Sequence, residues 1–157
     1  MNHLELKDGK FDGETGKLLN LDMKQISDEG EFEGYASVYG NVDQGGDIVR
    51  MGAFDESLRN RPATKVKMLL HHDTRKLVGT WQSMQSDSRG LFVKGKLLLS
   101  TQLGRDTYEL MKAEAMDGMS IGYRTLEHEY DSQKQIRTIV KADLLEVSLV
   151  TFPMKRS

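Results

Sequence analysis

The chain has 157 residues, about the length of one ordinary domain, which argues against a multidomain enzyme. Its 22 basic and 24 acidic residues give a formal net charge of −2, so neither a polybasic nucleic-acid binder nor an acidic tail is indicated. The sequence contains no cysteine, which excludes disulfide bonds, thiolate catalysis, iron–sulfur clusters and cysteine-rich zinc sites. Because no apolar run exceeds three residues, we expect no membrane span and no secretory signal.

Short apolar alternations that end at glycine-containing turns predict a series of strands within a single domain, 1–157. The first 30 residues are the most polar, and Asp8-Gly9 and Asp12-Gly13 indicate a hairpin or a loosely held arm before a core over residues 31–153. In chain order, strands are predicted over residues 32–42, 47–51, 68–70, 77–84, 91–99, 119–130 and 135–151. The two strands at 77–84 and 91–99 are expected to form a hairpin about residues 87–90.

Two segments have helical periodicity instead. Residues 53–60 carry Phe54 and Leu58 four positions apart. Residues 102–116 carry a stripe with a period of 3.6, and Ser100 or Thr101 is expected to cap the start of this helix. The stripe consists of Leu103, Thr107, Leu110, Met111 and Ala115. Short strands adjacent in sequence, with two helices, predict an α+β, mainly β fold in which an antiparallel sheet closes into a barrel or sandwich with flanking helices.

His72 is one of three polar residues that interrupt otherwise apolar strands. Strand alternation places it on the same row as Met68 and Leu70, so it is expected to be better shielded than His71. A half-buried imidazole at the end of a strand suits a general base. The alternative is a structural histidine that is hydrogen-bonded at the end of a core strand.

Ser120 is the second such residue, and it lies between Gly118 and Gly122. Glycine on both sides removes side chains that would crowd a substrate backbone near the hydroxyl. The residues that follow alternate like a strand, so the nucleophile elbow of an α/β-hydrolase is not indicated. The alternative is a glycine-rich strand in which serine is merely small.

Glu146 is the third, and it lies in the middle of a strand whose residues Leu145, Val147 and Leu149 form an apolar row. A hairpin loop of three residues, 132–134, would place Ser120 opposite Glu146, with Cβ atoms about 5 Å apart. A loop of four residues would break this register. The alternative is an ordinary solvated glutamate.

Together, the three side chains supply a hydroxyl, an imidazole and a carboxylate, the components of nucleophilic acyl transfer. A metal site is the competing use of the histidines. The sequence has four of them but no H-E-x-x-H motif, and adjacent histidines on a strand point to opposite faces. We therefore predict no metal and no other cofactor.

Several blocks of the sequence resemble the prohead serine proteases of tailed bacteriophages. Residues 33–43 (EGYASVYGNVD), 46–49 (GDIV) and 52–54 (GAF) are similar to the opening of that family. The later blocks are 70–73 (LHHD) with Val78-Gly79, 119–123 (MSIGY), and 145–151 (LEVSLVT) followed by Pro153. The resemblance covers residues 33–153, and the order of the blocks is specific.

The resemblance implies a capsid maturation endopeptidase, distantly similar to herpesvirus assemblins, with a compact antiparallel β-barrel flanked by helices. Such an enzyme acts inside the assembling prohead in the host cytoplasm. Its partners are the scaffold or the scaffolding segment of the major capsid protein, and the protease itself as a substrate. The resemblance leaves open whether the protein forms a homodimer, and no nucleic-acid or membrane partner is expected.

By position in these blocks, the resemblance implies that Ser120 is the nucleophile, His72 the base and Glu146 the orienting third member. Asp73 or Asp143 could take the third role. The backbone of Gly118, Ile121 and Gly122 is expected to bind the oxyanion or the substrate main chain. The alternative function is a non-catalytic β-barrel module that binds capsid or scaffold subunits during assembly.

Overall fold

The structure, a computed structural model, describes residues 4–7, 26–43 and 45–151. The eight strands are Leu4–Lys7 (β1), Glu31–Val38 (β2), Asp47–Val49 (β3), Lys67–Leu70 (β4), Asp73–Ser86 (β5), Gly90–Leu97 (β6), Gly118–Asp131 (β7) and Ile136–Val150 (β8). Two helices, Asp55–Asn60 (α1) and Gln102–Lys112 (α2), and a 3₁₀ turn, Ala63–Lys65, complete the secondary structure of these residues. The hairpin predicted at residues 8–13 lies outside the described residues.

All eight strands belong to one curled, half-barrel sheet with the order β1-β7-β8-β4-β5-β6-β2, and β3 also pairs with β8. The predicted mainly β fold with flanking helices is confirmed. The sheet is mixed, however, because β3 and β4 both run parallel to β8. A sequence of short adjacent strands favours hairpins, and it does not reveal that α1 connects two strands that run in the same direction.

Helix α1 lies at the edge of β8 between the segments that pair with β3 and with β4. The Leu144 N–H donates to Ser57 Oγ at 2.8 Å, and Arg61 donates to the Leu144 carbonyl oxygen at 2.9 Å. The N–H of Ala142 donates to the carbonyl oxygen of Ala53. These bonds satisfy backbone groups of β8 where it has no neighbouring strand on that side, since a buried polar group without a partner is costly.

Helix α2 begins as predicted and ends earlier than predicted. The Thr101 side chain accepts a hydrogen bond from the Gly104 N–H at 2.9 Å, which makes Thr101 the N-cap. The helix ends at Lys112 rather than at residue 116, because Glu114 adopts a left-handed backbone conformation with φ of +60°. Ala115 is therefore exposed outside the helix and does not continue its buried stripe.

Trp81 is the largest fully buried side chain and anchors the β5–β6 hairpin. Its ring packs edge-to-face on Phe32 with centroids 5.6 Å apart, and its Nε1–H donates to the Lys67 carbonyl oxygen at 3.3 Å. The indole therefore connects β2, β4 and β5 across the inner face of the sheet. This packing supports β4, whose end leads into the residues of the candidate site.

Arg137 on β8 joins three strands through an ion-pair cluster. Its guanidinium donates to Asp47 on β3 at 2.9 and 2.8 Å and to Glu5 on β1 at 2.6 Å. The hydrogen bonds that Arg137 donates to Asp47 and Glu5 raise the pKa of Arg137 above its usual range, against the effect of burial. The cluster ties β1 and β3 to β8.

We expect Arg137→Ala to lower the free energy of unfolding by about 2–4 kcal/mol, measured by urea denaturation. The reason is that the carboxylate of Asp47, which is only 6% exposed, would lose the two hydrogen bonds that Arg137 donates to it. Arg75→Ala is the matched control, because that arginine pairs with Asp73 at a fully exposed position and should change stability little. Equal stability losses in the two variants would contradict the prediction.

Candidate active site

His72 lies in the two-residue turn between β4 and β5, where Leu70 pairs with Asp73. Both residues of the turn have positive φ, +50° for His71 and +61° for His72, as in a type I′ hairpin turn. The prediction that His72 continues the strand alternation of β4 is therefore wrong, because the turn sets its direction. His72 is nevertheless better shielded than the exposed His71, as predicted.

Ser120 lies on β7 opposite Ser148 of β8, and Glu146 lies opposite Gly122. The predicted pairing of Ser120 with Glu146 is wrong by two residues. The loop has four residues, 132–135, and a bulge at Leu145 adds one more position on β8. Since the total shift is even, Ser120 and Glu146 still lie on the same face of the sheet, as predicted.

The three predicted side chains form one continuous hydrogen-bonded chain. Ser120 Oγ lies 2.6 Å from His72 Nε2, and His72 Nδ1 contacts Glu146 Oε2. Glu146 is 6% exposed and Ser120 has no exposed surface. A buried carboxylate on Nδ1 selects the tautomer with its proton there, which leaves Nε2 free to accept the proton of a hydroxyl. This arrangement can generate a nucleophilic alkoxide.

Ser148 is a buried member of the site that sequence reasoning missed. Its hydroxyl donates to Glu146 Oε1 at 2.7 Å and accepts the backbone N–H of His72 at 2.9 Å. Strand alternation did place Ser148 on the same face as Glu146, two residues away. That was the available signal, but the pattern does not show that the two side chains bond.

Gly122 has a role that the sequence did not suggest. A Cβ atom built on it would overlap Glu146 Oε2 and lie 2.8 Å from Glu146 Cδ. The missing side chain therefore makes the space in which the carboxylate reaches His72. Gly118 begins β7 opposite Val150, and the Ile121 side chain is fully buried in the core. An oxyanion role for the backbone of Gly118, Ile121 and Gly122 stays a prediction.

We expect Gly122→Ala to slow the reaction of this site by about 100-fold, because the added methyl displaces Glu146 from His72. The measurement is the rate at which Ser120 is acylated by an activated ester, in variants matched for thermal stability. If displacement of the carboxylate is the cause, Gly122→Ala should cost little further activity in a Glu146→Gln background. Additive losses in the double variant would contradict this explanation.

The two other acids considered for the third position lie in separate interactions. Asp73 accepts hydrogen bonds from the Arg75 side chain and backbone, which lower the pKa of Asp73. Asp143 accepts hydrogen bonds from Ser57 of α1 and from Arg61 at the C-terminal end of that helix.

Within the described part of the chain, no group of three His, Cys, Asp or Glu side chains is arranged to hold a metal ion. In the same residues, no helix is long and apolar enough to cross a membrane.

A comparison with known protein families identifies the family of this chain. The profile of the caudovirus prohead serine protease family matches residues 19–157. The chain belongs to this family. Its relatives in the family include the prohead protease of Enterobacteria phage HK97, which is 36% identical over 147 residues, and that of Escherichia phage T5, which is 28% identical over 142 residues.

These matches cover most of the chain but only part of the relatives. The HK97 match covers 89% of this chain and 65% of the relative, and the T5 match covers 86% and 66%. The chain thus spans somewhat less than two thirds of the length of either prohead protease.

A solved structure supports the fold. The capsid assembly protease of bacteriophage T4 superposes with a TM-score of 0.72 and 12% sequence identity, covering 97% of this chain and 99% of that one.

Proposed function

We propose that this chain is a serine endopeptidase of phage capsid maturation. The observation that carries the proposal is the hydrogen-bonded chain from Ser120 Oγ through the His72 ring to Glu146. A hydroxyl, an imidazole and a carboxylate in this order are the working parts of serine proteases on several unrelated folds. Membership of the prohead serine protease family supports the same reaction.

In the proposed reaction, Ser120 Oγ attacks the scissile carbonyl carbon while His72 Nε2 takes the hydroxyl proton. Glu146 keeps the Nδ1 proton in place and stabilises the imidazolium that forms. The same Nε2 proton then passes to the leaving amine, which releases the first product and leaves an acyl ester on Ser120. Water activated by His72 hydrolyses the ester and restores the enzyme.

The tetrahedral intermediates need hydrogen-bond donors for the developing oxyanion. We propose backbone N–H groups near Ser120 for this role, with Gly118, Ile121 and Gly122 as the candidates. A single donor of this kind typically contributes about 10²–10³ in rate. Glycine on both sides of Ser120 would let a substrate backbone approach closely.

The names of the similar proteins indicate the proposed substrates. Two of these proteins are prohead proteases, and the third, which is similar in structure, is a capsid assembly protease. We therefore propose that the chain cleaves the scaffold or the scaffolding segment of the major capsid protein, and itself. The reaction would take place inside the assembling prohead in the host cytoplasm.

The test is to incubate the purified chain with the precursor of the major capsid protein from the same phage and to map new peptide termini by mass spectrometry. Discrete new termini that form equally with and without a chelator are expected. An intact precursor, or cleavage that a chelator abolishes, would reject a metal-independent serine protease. A mixture without the chain controls for spontaneous breakdown of the precursor.

The second candidate is a non-catalytic assembly module that binds capsid or scaffold subunits. The observation that favours it is that Ser120 has no exposed surface, so a peptide reaches the hydroxyl only after local opening. A binding module needs no such access. Stable binding of the precursor without any new termini would support this candidate, whereas cleavage would eliminate it.

A further inference from the structure

We infer that Ser148 is a positioning residue that holds both partners of the His72–Glu146 pair in register, an inference that rests on the proposed protease function. Its single hydroxyl contacts the carboxylate of Glu146 at 2.7 Å and the main chain of His72 at 2.9 Å. The base and the acid that orients it are thereby fixed to one atom of β8. Ser148 has no exposed surface and lies directly opposite Ser120.

The Ser148 hydroxyl makes one hydrogen bond as a donor and one as an acceptor. Its one proton is donated to Glu146 Oε1, and one lone pair accepts the His72 N–H. The second carboxylate oxygen, Oε2, is then available for His72 Nδ1. With a donor on each oxygen, the carboxylate plane cannot rotate without breaking one of the two bonds. Ser148 therefore sets the orientation of Glu146, and through it that of the imidazole.

The turn that carries His72 needs such support. Left-handed backbone conformations are unfavourable for residues other than glycine, and here His71 and His72 both adopt one. They persist only where the surroundings fix them. The His71 N–H donates to the Leu149 carbonyl oxygen at 3.1 Å, and the next N–H donates to Ser148 Oγ. Two successive residues of β8 thus hold two successive residues of the turn.

The main test is Ser148→Ala, for which we expect kcat to fall by about 10- to 100-fold with KM unchanged. KM should not change because Ser148 is fully buried and its hydroxyl is already bonded to His72 and Glu146, so the substitution removes no group proposed to contact the peptide. Ser148→Cys is the second variant, since it keeps the shape but weakens both hydrogen bonds. Its kcat should lie between that of the wild type and that of Ser148→Ala. The low-field proton resonance of the His72 ring should shift or broaden in the alanine variant.

Ser37→Ala is the matched control. Ser37 is also a fully buried strand serine, and within the described residues its Oγ has no hydrogen-bond partner. This variant should leave kcat and the imidazole resonance unchanged. Thermal unfolding of all variants separates loss of positioning from loss of fold.

The outcomes separate this inference from the proposed function. If wild-type cleavage depends on Ser120 but kcat and the imidazole resonance are the same in Ser148→Ala, the role of Ser148 is overturned and the protease stands. If the wild type shows no Ser120-dependent cleavage, both fall. A fall in kcat in Ser37→Ala as large as that in Ser148→Ala would also overturn the role, because the loss would then follow from replacing any buried serine.

Discussion

Replacing Ser120 with alanine is expected to lower the rate of cleavage by about 10⁶-fold, the cost of removing the nucleophile of a serine protease. The change deletes one oxygen atom, which lies 2.6 Å from His72 Nε2. Without it, the imidazole has no hydroxyl to deprotonate and no acyl ester can form. The residual rate would come from oxyanion stabilisation and substrate binding alone.

The fold should survive this substitution, so the loss can be read as a loss of chemistry. Alanine is smaller than serine and keeps β7 paired with β8 on both sides of the position. Ser88→Ala is the matched control, because Ser88 is exposed in the turn between β5 and β6. Cleavage rates within about tenfold of each other in the wild type and Ser120→Ala would remove Ser120 as the nucleophile.

Glu146→Gln is expected to lower the rate by about 10⁴-fold, the second largest effect. Glutamine has nearly the same shape, so Ser148 can still donate to its oxygen. Its amide group then faces His72 Nδ1 and donates to it, which moves the ring proton to Nε2. In that tautomer Nε2 cannot accept the Ser120 proton. The loss should appear in kcat, measured with a peptide that spans a mapped cleavage site.

Asp73→Asn provides the comparison for Glu146→Gln. Asp73 is the acid next to His72 in sequence, but its carboxylate binds Arg75 at the surface. We expect its substitution to cost far less activity than that of Glu146. If instead Asp73→Asn lost the greater part of the rate and Glu146→Gln retained it, the third role would belong to Asp73.

The sequence was sufficient for the fold class and for the face of the sheet that carries the site. Alternation puts Ser120 and Ile121 on opposite faces of their strand, and Glu146 and Val147 on opposite faces of theirs, because a strand has a period of two. It did not give the register, which depends on a four-residue loop and a bulge at Leu145. The bulge lies next to Leu144, whose backbone bonds to Ser57 and Arg61 from a distant part of the chain, and no local pattern reports such contacts.

The supporting residues of the site were harder to predict than its reactive ones. His72 follows an apolar strand in the sequence and is visible for that reason, yet its position depends on a turn in which two histidines replace the usual asparagine and glycine. Gly122 lies between Ile121 and Tyr123, and Ser148 lies between Val147 and Leu149, so their neighbours in the sequence do not mark either residue as part of a site. Their roles depend on where the Glu146 carboxylate lies, which is known only once β7 and β8 are paired.

Covalent labelling with a serine-directed fluorophosphonate tests the central claim most directly, because the reagent needs an activated hydroxyl and no knowledge of the natural cleavage site. Peptide mass spectrometry of the labelled chain should find one adduct, on Ser120, and should find none in a folded His72→Gln variant. An adduct that forms on Ser120 equally fast without the imidazole, or a folded chain in which Ser120 stays unlabelled while the reagent is in excess, would contradict the account.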